Sequence, residues 1–296
     1  MESAQGPRES SQGQSPSTVP LRSVWPTFMV CTAAFSAVTL LLIYTTGGWA
    51  KWFPLPKNVS EHGQRVDELF WICTWITGIT FVLVEAGLIA FLIHFRHRPG
   101  RRAVYLHGSH KLEVIWTVIP TVILIIVIGM SISVWHSVRV DVPTDADADV
   151  VVQVLAQQFI FNFKYPGPDG KFGRTSPEYY DAPSNPKGED AFGTVPSDPA
   201  GKDDIIALGT MHVPKGKTIK VHLQSKDVLH SFFLPNFRVK MDAVPGMNGT
   251  LAFTPTEAGQ FEIVCAELCG AQHWDMRGML VVHETTEDFE AWLETQ

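Results

Sequence analysis

Cysteine is scarce in this chain. Four in 296 residues cannot staple a disulfide scaffold. Cys31 and Cys73 lie in apolar stretches, where a buried thiol behaves as a small hydrophobe. No C-x-x-C-H occurs, so nothing in the chain would attach a c-type haem covalently. Basic charge is also short in the second half: from Asp141 to the end there are 23 acidic and 12 basic residues, against 7 and 11 in residues 1–140. That sign speaks against nucleic acid. It favours a basic partner, which an acidic face with groups such as Asp227 and Glu257 attracts and orients over about one Debye length of ~8 Å. No internal repeat is present.

Apolar residues, in contrast, make up 45% of the chain, high for a fully soluble protein. They concentrate in three runs, Thr27 to Tyr44, Leu69 to Phe95 and Leu112 to Trp135, each near or above the ~20 residues that span a bilayer. The first follows a Ser-, Gln-, Gly- and Pro-rich tail, residues 1–23, whose composition predicts disorder. That run could also be a signal segment, although Gly47-Gly48-Trp49-Ala50 makes a poor cleavage site. Residues 24–136 are therefore expected to form a transmembrane helical anchor. Arg96, Arg98, Arg101 and Arg102 lie between the second and third runs, so that loop should face the cytoplasm. The remainder is then delivered to the periplasm of a bacterial inner membrane, or to the intermembrane space of a mitochondrion.

From about Val150 the pattern changes to short alternating or β-branched runs separated by Gly and Pro, which predicts an all-β Greek-key sandwich or barrel over residues 137–296. A stretch dense in Pro, Gly, Asp and Ser at about 166–204 is expected to be a surface loop insertion. Phe289, Trp292 and Leu293 fall at helical spacing behind a threonine cap, so a short docked helix should close the chain within Thr286 to Gln296.

The chemistry is concentrated in Cys265-Ala-Glu-Leu-Cys269-Gly-Ala-Gln-His273-Trp-Asp-Met276, with His230 supplied by Asp227-Val-Leu-His-Ser231. Thiolate and thioether are soft ligands suited to copper, imidazole serves copper and zinc alike, and a methionine adds nothing to an ordinary zinc site. A single blue-copper site needs only one cysteine. If Cys265 and Cys269 both bridge two metals, each metal takes one histidine, leaving Met276 and the Glu267 carbonyl as axial ligands. A structural zinc held by His230, Cys265, Cys269 and His273 is the competing reading of the same residues. A Cys265 to Cys269 disulfide is another. None of His212, His222 and His283 has a partner at ligand spacing along the chain, and none is assigned a role.

These residues resemble the C-x-E-x-C-G-x-x-H-x-x-M pattern of cytochrome c oxidase subunit II, whose binuclear copper centre is called CuA. The resemblance extends to Asp227-Val-Leu-His-Ser231, Lys240-Met-Asp-Ala-Val-Pro-Gly246 and Glu113-Val-Ile-Trp-Thr-Val-Ile-Pro120, covering roughly residues 69–165 and 205–283. It implies a membrane-anchored, cupredoxin-like domain that receives electrons from cytochrome c or a similar basic donor. It implies His230 and Met276 on one copper, with His273 and the Glu267 carbonyl on the other. The Glu267 side chain would help hold magnesium or manganese at the interface with the haem-copper catalytic subunit, where oxygen is reduced. Glu113 would lie at the mouth of a proton-uptake path into that subunit. The alternatives are the related subunit of a nitric oxide reductase and a membrane-anchored copper module without redox turnover. Two departures stand out. The family's electron-accepting tryptophan aligns with Phe159 in Gln158-Phe159-Ile160-Phe161, and Met247 stands where many relatives have arginine.

Overall fold

A computed structural model describes residues 55–102, 105, 108–180 and 190–296, together with Ala34, Val38 and Leu41. The tail and nearly all of the first apolar run lie outside the described residues.

The second and third runs form α1, Gly63–His94, and α2, His110–Arg139. Their most apolar windows have mean hydropathies of 2.3 and 2.5 and are not buried within the chain. At 1.5 Å per residue they extend ~48 and ~45 Å, more than the ~30 Å of bilayer hydrocarbon. Such an environment offers a hydroxyl no water, and Thr74, Thr80 and Thr121 donate instead to the carbonyls of Phe70, Ile76 and Thr117 one turn back.

Among the described residues ten strands follow: β1 Val150–Gln157, β2 Ile160–Tyr165, β3 Ile205–Leu208, β4 Thr210–Pro214, β5 Ile219–Ser225, β6 His230–Leu234, β7 Val239–Ala243, β8 Gly249–Phe253, β9 Gly259–Cys265 and β10 Arg277–His283. They make two five-stranded sheets in the orders β3-β2-β1-β5-β8 and β4-β10-β9-β6-β7. The period of two is clear in the second half of β5, where Val221, Leu223 and Ser225 are buried and His222 and Gln224 are half-buried between them. Phe161, Phe163, Phe232, Leu234, Ile263 and Leu280 complete the layer between the sheets. A Thr285 side chain accepting from the Asp288 N–H caps α3, Thr286–Leu293, which docks Phe289 and Trp292 onto Tyr165.

The segment before α1 belongs to the sandwich. Val59 is buried, its N–H donates to the Asn236 carbonyl, and its own carbonyl accepts from Thr256. Asp67 on α1 receives the Arg238 guanidinium, with Nε 2.6 Å from Oδ1, and Arg139 at the end of α2 donates to the Lys240 carbonyl. The sandwich is thus tied to both helices through β7 and the turn that precedes it.

The 166–204 insertion is more than a loose surface loop. Ala191 and Phe192 are 3% and 2% exposed and pack with Leu155, Tyr180 and Ile206 in a small core outside the main one. Beneath them Lys164 is fully buried, with Nζ 3.0 Å from Asp204 Oδ2. Residues 181–189 lie outside the described residues.

Two of the unassigned histidines prove to be partners. Parallel pairing of β4 with β10 brings His212 Nδ1 to 2.9 Å from His283 Nε2, while Trp292 stacks on the His212 ring at 3.9 Å. Among the described residues no third ligand joins the pair, which is therefore a structural contact. Burial first, and the neighbouring His283 second, lower His212 from 6.5 to about 4. Between those values the unfolded chain binds more protons than the folded one, so stability is complete above pH 6.5 and falls as pH drops toward 4. His212→Gln should flatten that part of the profile in thermal melts recorded from pH 7 to pH 4. An unchanged slope would place the acid sensitivity elsewhere.

Candidate metal centre

The ligands converge where β6 begins and β9 ends. Antiparallel pairing sets Phe232 opposite Cys265, which leaves His230 projecting beyond the end of β9. The Cys265 N–H donates to the Met276 carbonyl, closing the base of a loop that joins β9 to β10. Inside it a single 3-10 turn, His273–Asp275, returns His273 and Met276 toward the cysteines. The Ala266 N–H binds the Ser231 carbonyl and pins the loop to β6.

The two sulfurs are 3.8 Å apart and unbonded. His230 Nδ1 lies 3.9 Å from Cys265 Sγ, and His273 Nδ1 lies 3.7 Å from Cys269 Sγ, so each sulfur adjoins a different imidazole. Met276 Sδ is 3.6 Å from Cys269 Sγ, and the Glu267 carbonyl oxygen is 3.2 Å from Cys265 Sγ. With metal–sulfur bonds of about 2.3 Å, sulfurs this far apart can share a metal at a near-tetrahedral angle. Burial first, and then the Cys265 thiol, push Cys269 up to about 11. A metal must displace that proton to bind the thiolate. Two buried thiols, an imidazole beside each, and a thioether form a donor set that fits a copper centre.

The supporting residues are equally specific. His230 Nε2 is 2.7 Å from Asp227 Oδ1, which fixes the ring so that Nδ1 faces the sulfurs. The other Asp227 oxygen accepts from the Gln158 N–H at 2.7 Å, and Gln158 Nε2 donates to the Cys269 carbonyl at 2.6 Å. Burial works to raise the Asp227 carboxyl, but hydrogen bonds from Gln158, His230 and Val228 hold it below the usual carboxylate range. Gly270 has φ +141°, and a Cβ there would come within 3.1 Å of the Phe159 ring. The ring is thus packed directly against the ligand loop.

The same chain matches two family models. Residues 202–284 match the cytochrome c oxidase subunit II periplasmic domain, and residues 55–134 match the transmembrane domain of the same subunit. The alternative cytochrome c oxidase subunit 2 of Bradyrhizobium diazoefficiens is 38% identical over 261 residues, covering 88% of each chain. This chain belongs to the cytochrome c oxidase subunit II family.

The cytochrome c oxidase subunit 2 of Thermostichus vulcanus is 31% identical over 274 residues, covering 80% of this chain and 77% of that one. Among solved structures, the periplasmic domain of subunit II of the Bradyrhizobium japonicum cytochrome oxidase is 30% identical, covering 52% of this chain and 95% of that one with a TM-score of 0.37. Family membership makes this a membrane-anchored subunit of a haem-copper terminal oxidase with a periplasmic, cupredoxin-like domain. It favours that reading over a nitric oxide reductase subunit or a copper module without turnover.

His230, Cys265, the Glu267 carbonyl, Cys269, His273 and Met276 all meet at one end of the sandwich, and Phe159 joins them. Glu113 does not. It occupies the first turn of α2, 3.8 Å from His110, and that helix extends its whole length before reaching the domain. Asp227 and Gln158 support the ligands, a duty that the sequence alone did not reveal. The D-x-x-H spacing was the available signal, since it places a carboxylate one turn before a ligating imidazole.

Proposed function

We propose that this subunit accepts electrons one at a time from a reduced, basic carrier such as cytochrome c, at a binuclear CuA centre. Cys265 and Cys269 would bridge two coppers, with His230 and Met276 on one and His273 and the Glu267 carbonyl on the other. The observation that carries the reading is the separation of the imidazoles onto different sulfurs. His230, Cys265 and Cys269 offer ligand atoms within 4.8 Å of one another, and His273 stands outside that cluster. A single tetrahedral zinc would draw all four together, to separations of about 3.3–3.8 Å for bonds of 2.0–2.3 Å.

Held by His230, Cys265, Cys269, His273, Met276 and the Glu267 carbonyl, copper would supply one-electron redox chemistry between the donor and haem in the catalytic subunit. The chain's own residues hold the ligands still. Asp227 orients His230, Gln158 ties the cysteine loop to the β1–β2 turn, and the Phe159 ring gives that loop an apolar backing against which a donor can seat. The Glu267 side chain would contribute to a magnesium or manganese site facing the catalytic subunit, and Glu113 would stand at the mouth of its proton-uptake path. The anchoring membrane would be the inner membrane of a bacterium.

The test is copper content and electron paramagnetic resonance on the full chain, since Val59 and its neighbours make any fragment beginning after α2 incomplete. Two coppers per chain with one unpaired spin spread equally over both nuclei is the expected result. One copper, or zinc alone, would remove the proposal.

Docking should be electrostatic, though Asp227 and Glu257 have other duties. Asp227 is committed to His230, and Glu257 pairs with Lys57 beside the segment that precedes α1. Attraction must come from the summed acidic charge of the domain. Turnover with a basic donor should therefore fall steeply between low and physiological ionic strength. A rate insensitive to salt would reject an electrostatic dock.

A further inference from the structure

Glu85 lies nine residues before the end of α1, and no other charged residue occurs between Leu69 and Ile93. Nine residues of helix place it about 14 Å inside that end, within the hydrocarbon of a membrane-spanning segment. Among the described residues it makes no hydrogen bond or ion pair. A carboxyl at that depth is costly unless it meets a partner, and such residues characteristically face protein.

Helix geometry says which side it faces. The half-buried residues in this part of α1 are Leu69, Ile72, Cys73, Ile76 and Gly87. At about 100° per residue they cluster on the side opposite Glu85. That is the side α1 turns toward the rest of the chain. Thr74, Gly78, Phe81, Glu85 and Leu92 share the other face, and all are exposed. Gly78 has nothing within 4 Å of where a Cβ would stand, so another helix can approach closely there, about two turns from the carboxyl.

We propose that the Glu85 face of α1 seats a transmembrane helix of the catalytic subunit, which presents a hydrogen-bond donor to the Glu85 carboxyl. This rests on the reading of the chain as an assembled oxidase subunit. Lipid cannot supply a donor at that depth, whereas a helix of a large membrane subunit can. The Thr74–Gly78–Glu85 stripe gives such a helix both room and a polar anchor.

The experiment uses the whole oxidase, with a photo-crosslinking amino acid introduced at Glu85 or at Leu83 on the far side. Products joining position 85, and not position 83, to the catalytic subunit are expected. Products from position 83 alone, lipid adducts from 85, or a link from 85 to the chain's own first apolar run would overturn the proposal. Co-purification of the catalytic subunit with the unsubstituted chain tells separately whether the oxidase assembly itself stands. As a second measure, Glu85→Leu should lose most of the catalytic subunit on detergent extraction, while Glu85→Gln retains it. Full retention in Glu85→Leu would reject the anchor.

Discussion

Cys265→Ser should lower copper uptake from two ions per chain to one at most and abolish the spectrum of a spin shared between two nuclei. The sulfurs lie 3.8 Å apart, and each adjoins its own imidazole. If both bridge as proposed, removing either takes a ligand from two metals at once, which is a larger loss than one bond. A serine hydroxyl is a hard donor that stays protonated near neutrality, so it cannot stand in for a thiolate toward copper. Serine is close in volume to cysteine, and the fold should survive the change. Met276→Leu is the informative companion. It removes a thioether 3.6 Å from Cys269 while leaving both bridges, so two coppers should still bind with altered spectra. Asp227→Ala takes away the carboxylate that orients His230 and should weaken copper binding about 10–100-fold. Metal analysis and electron paramagnetic resonance on the three variants separate these outcomes. Undiminished copper in Cys265→Ser would mean that the thiols do not bridge.

Much of this candidate site could be read from the chain because its proposed ligands are close in sequence. Five of the six donors come from Cys265 to Met276, and their spacing already matches one turn and one short loop. The membrane helices were legible for a related reason: a span is a local property of composition, and α1 and α2 enclose nearly all of the second and third apolar runs. The capped C-terminal helix was equally local. What escaped depends on pairing between distant strands. His212 and His283 are 71 residues apart and meet only because β4 runs parallel to β10. Glu257 looks free to attract a donor until the segment before α1 folds back and brings Lys57 to it. The insertion looked like a loop because its Pro, Gly and Asp content is that of a surface. Two of its apolar residues, Ala191 and Phe192, find a core only against the outer side of β1.

Beneath that insertion lies the second large effect. Asp204→Ala should destabilise the domain by about 3–5 kcal/mol, because it strands the buried ammonium of Lys164 without a counter-charge. The Lys164 and Asp204 side chains are 0% and 2% exposed. The remaining neighbours of the ammonium are Thr194 Oγ1 at 3.5 Å and the faces of Phe192 and Phe172, 5.1 and 5.9 Å from Nζ. Ring faces attract a cation by about 2 kcal/mol when desolvated, less than the desolvation penalty of several kcal/mol that a buried ion carries. The pair itself is poorly solvated: Asp204 Oδ1 has no hydrogen-bond partner among the described residues, and burial raises the Asp204 carboxyl despite the nearby ammonium. Replacing both members with apolar residues, Lys164→Met with Asp204→Leu, should therefore cost far less than the single change and could even stabilise the domain. Thermal melts decide it. The single variant should fall by roughly 10 °C for a domain of this size, with the double variant close to the wild type. Equal losses in both would show that the pair holds the insertion down through its geometry, and that burying an unpaired charge matters less than losing that contact.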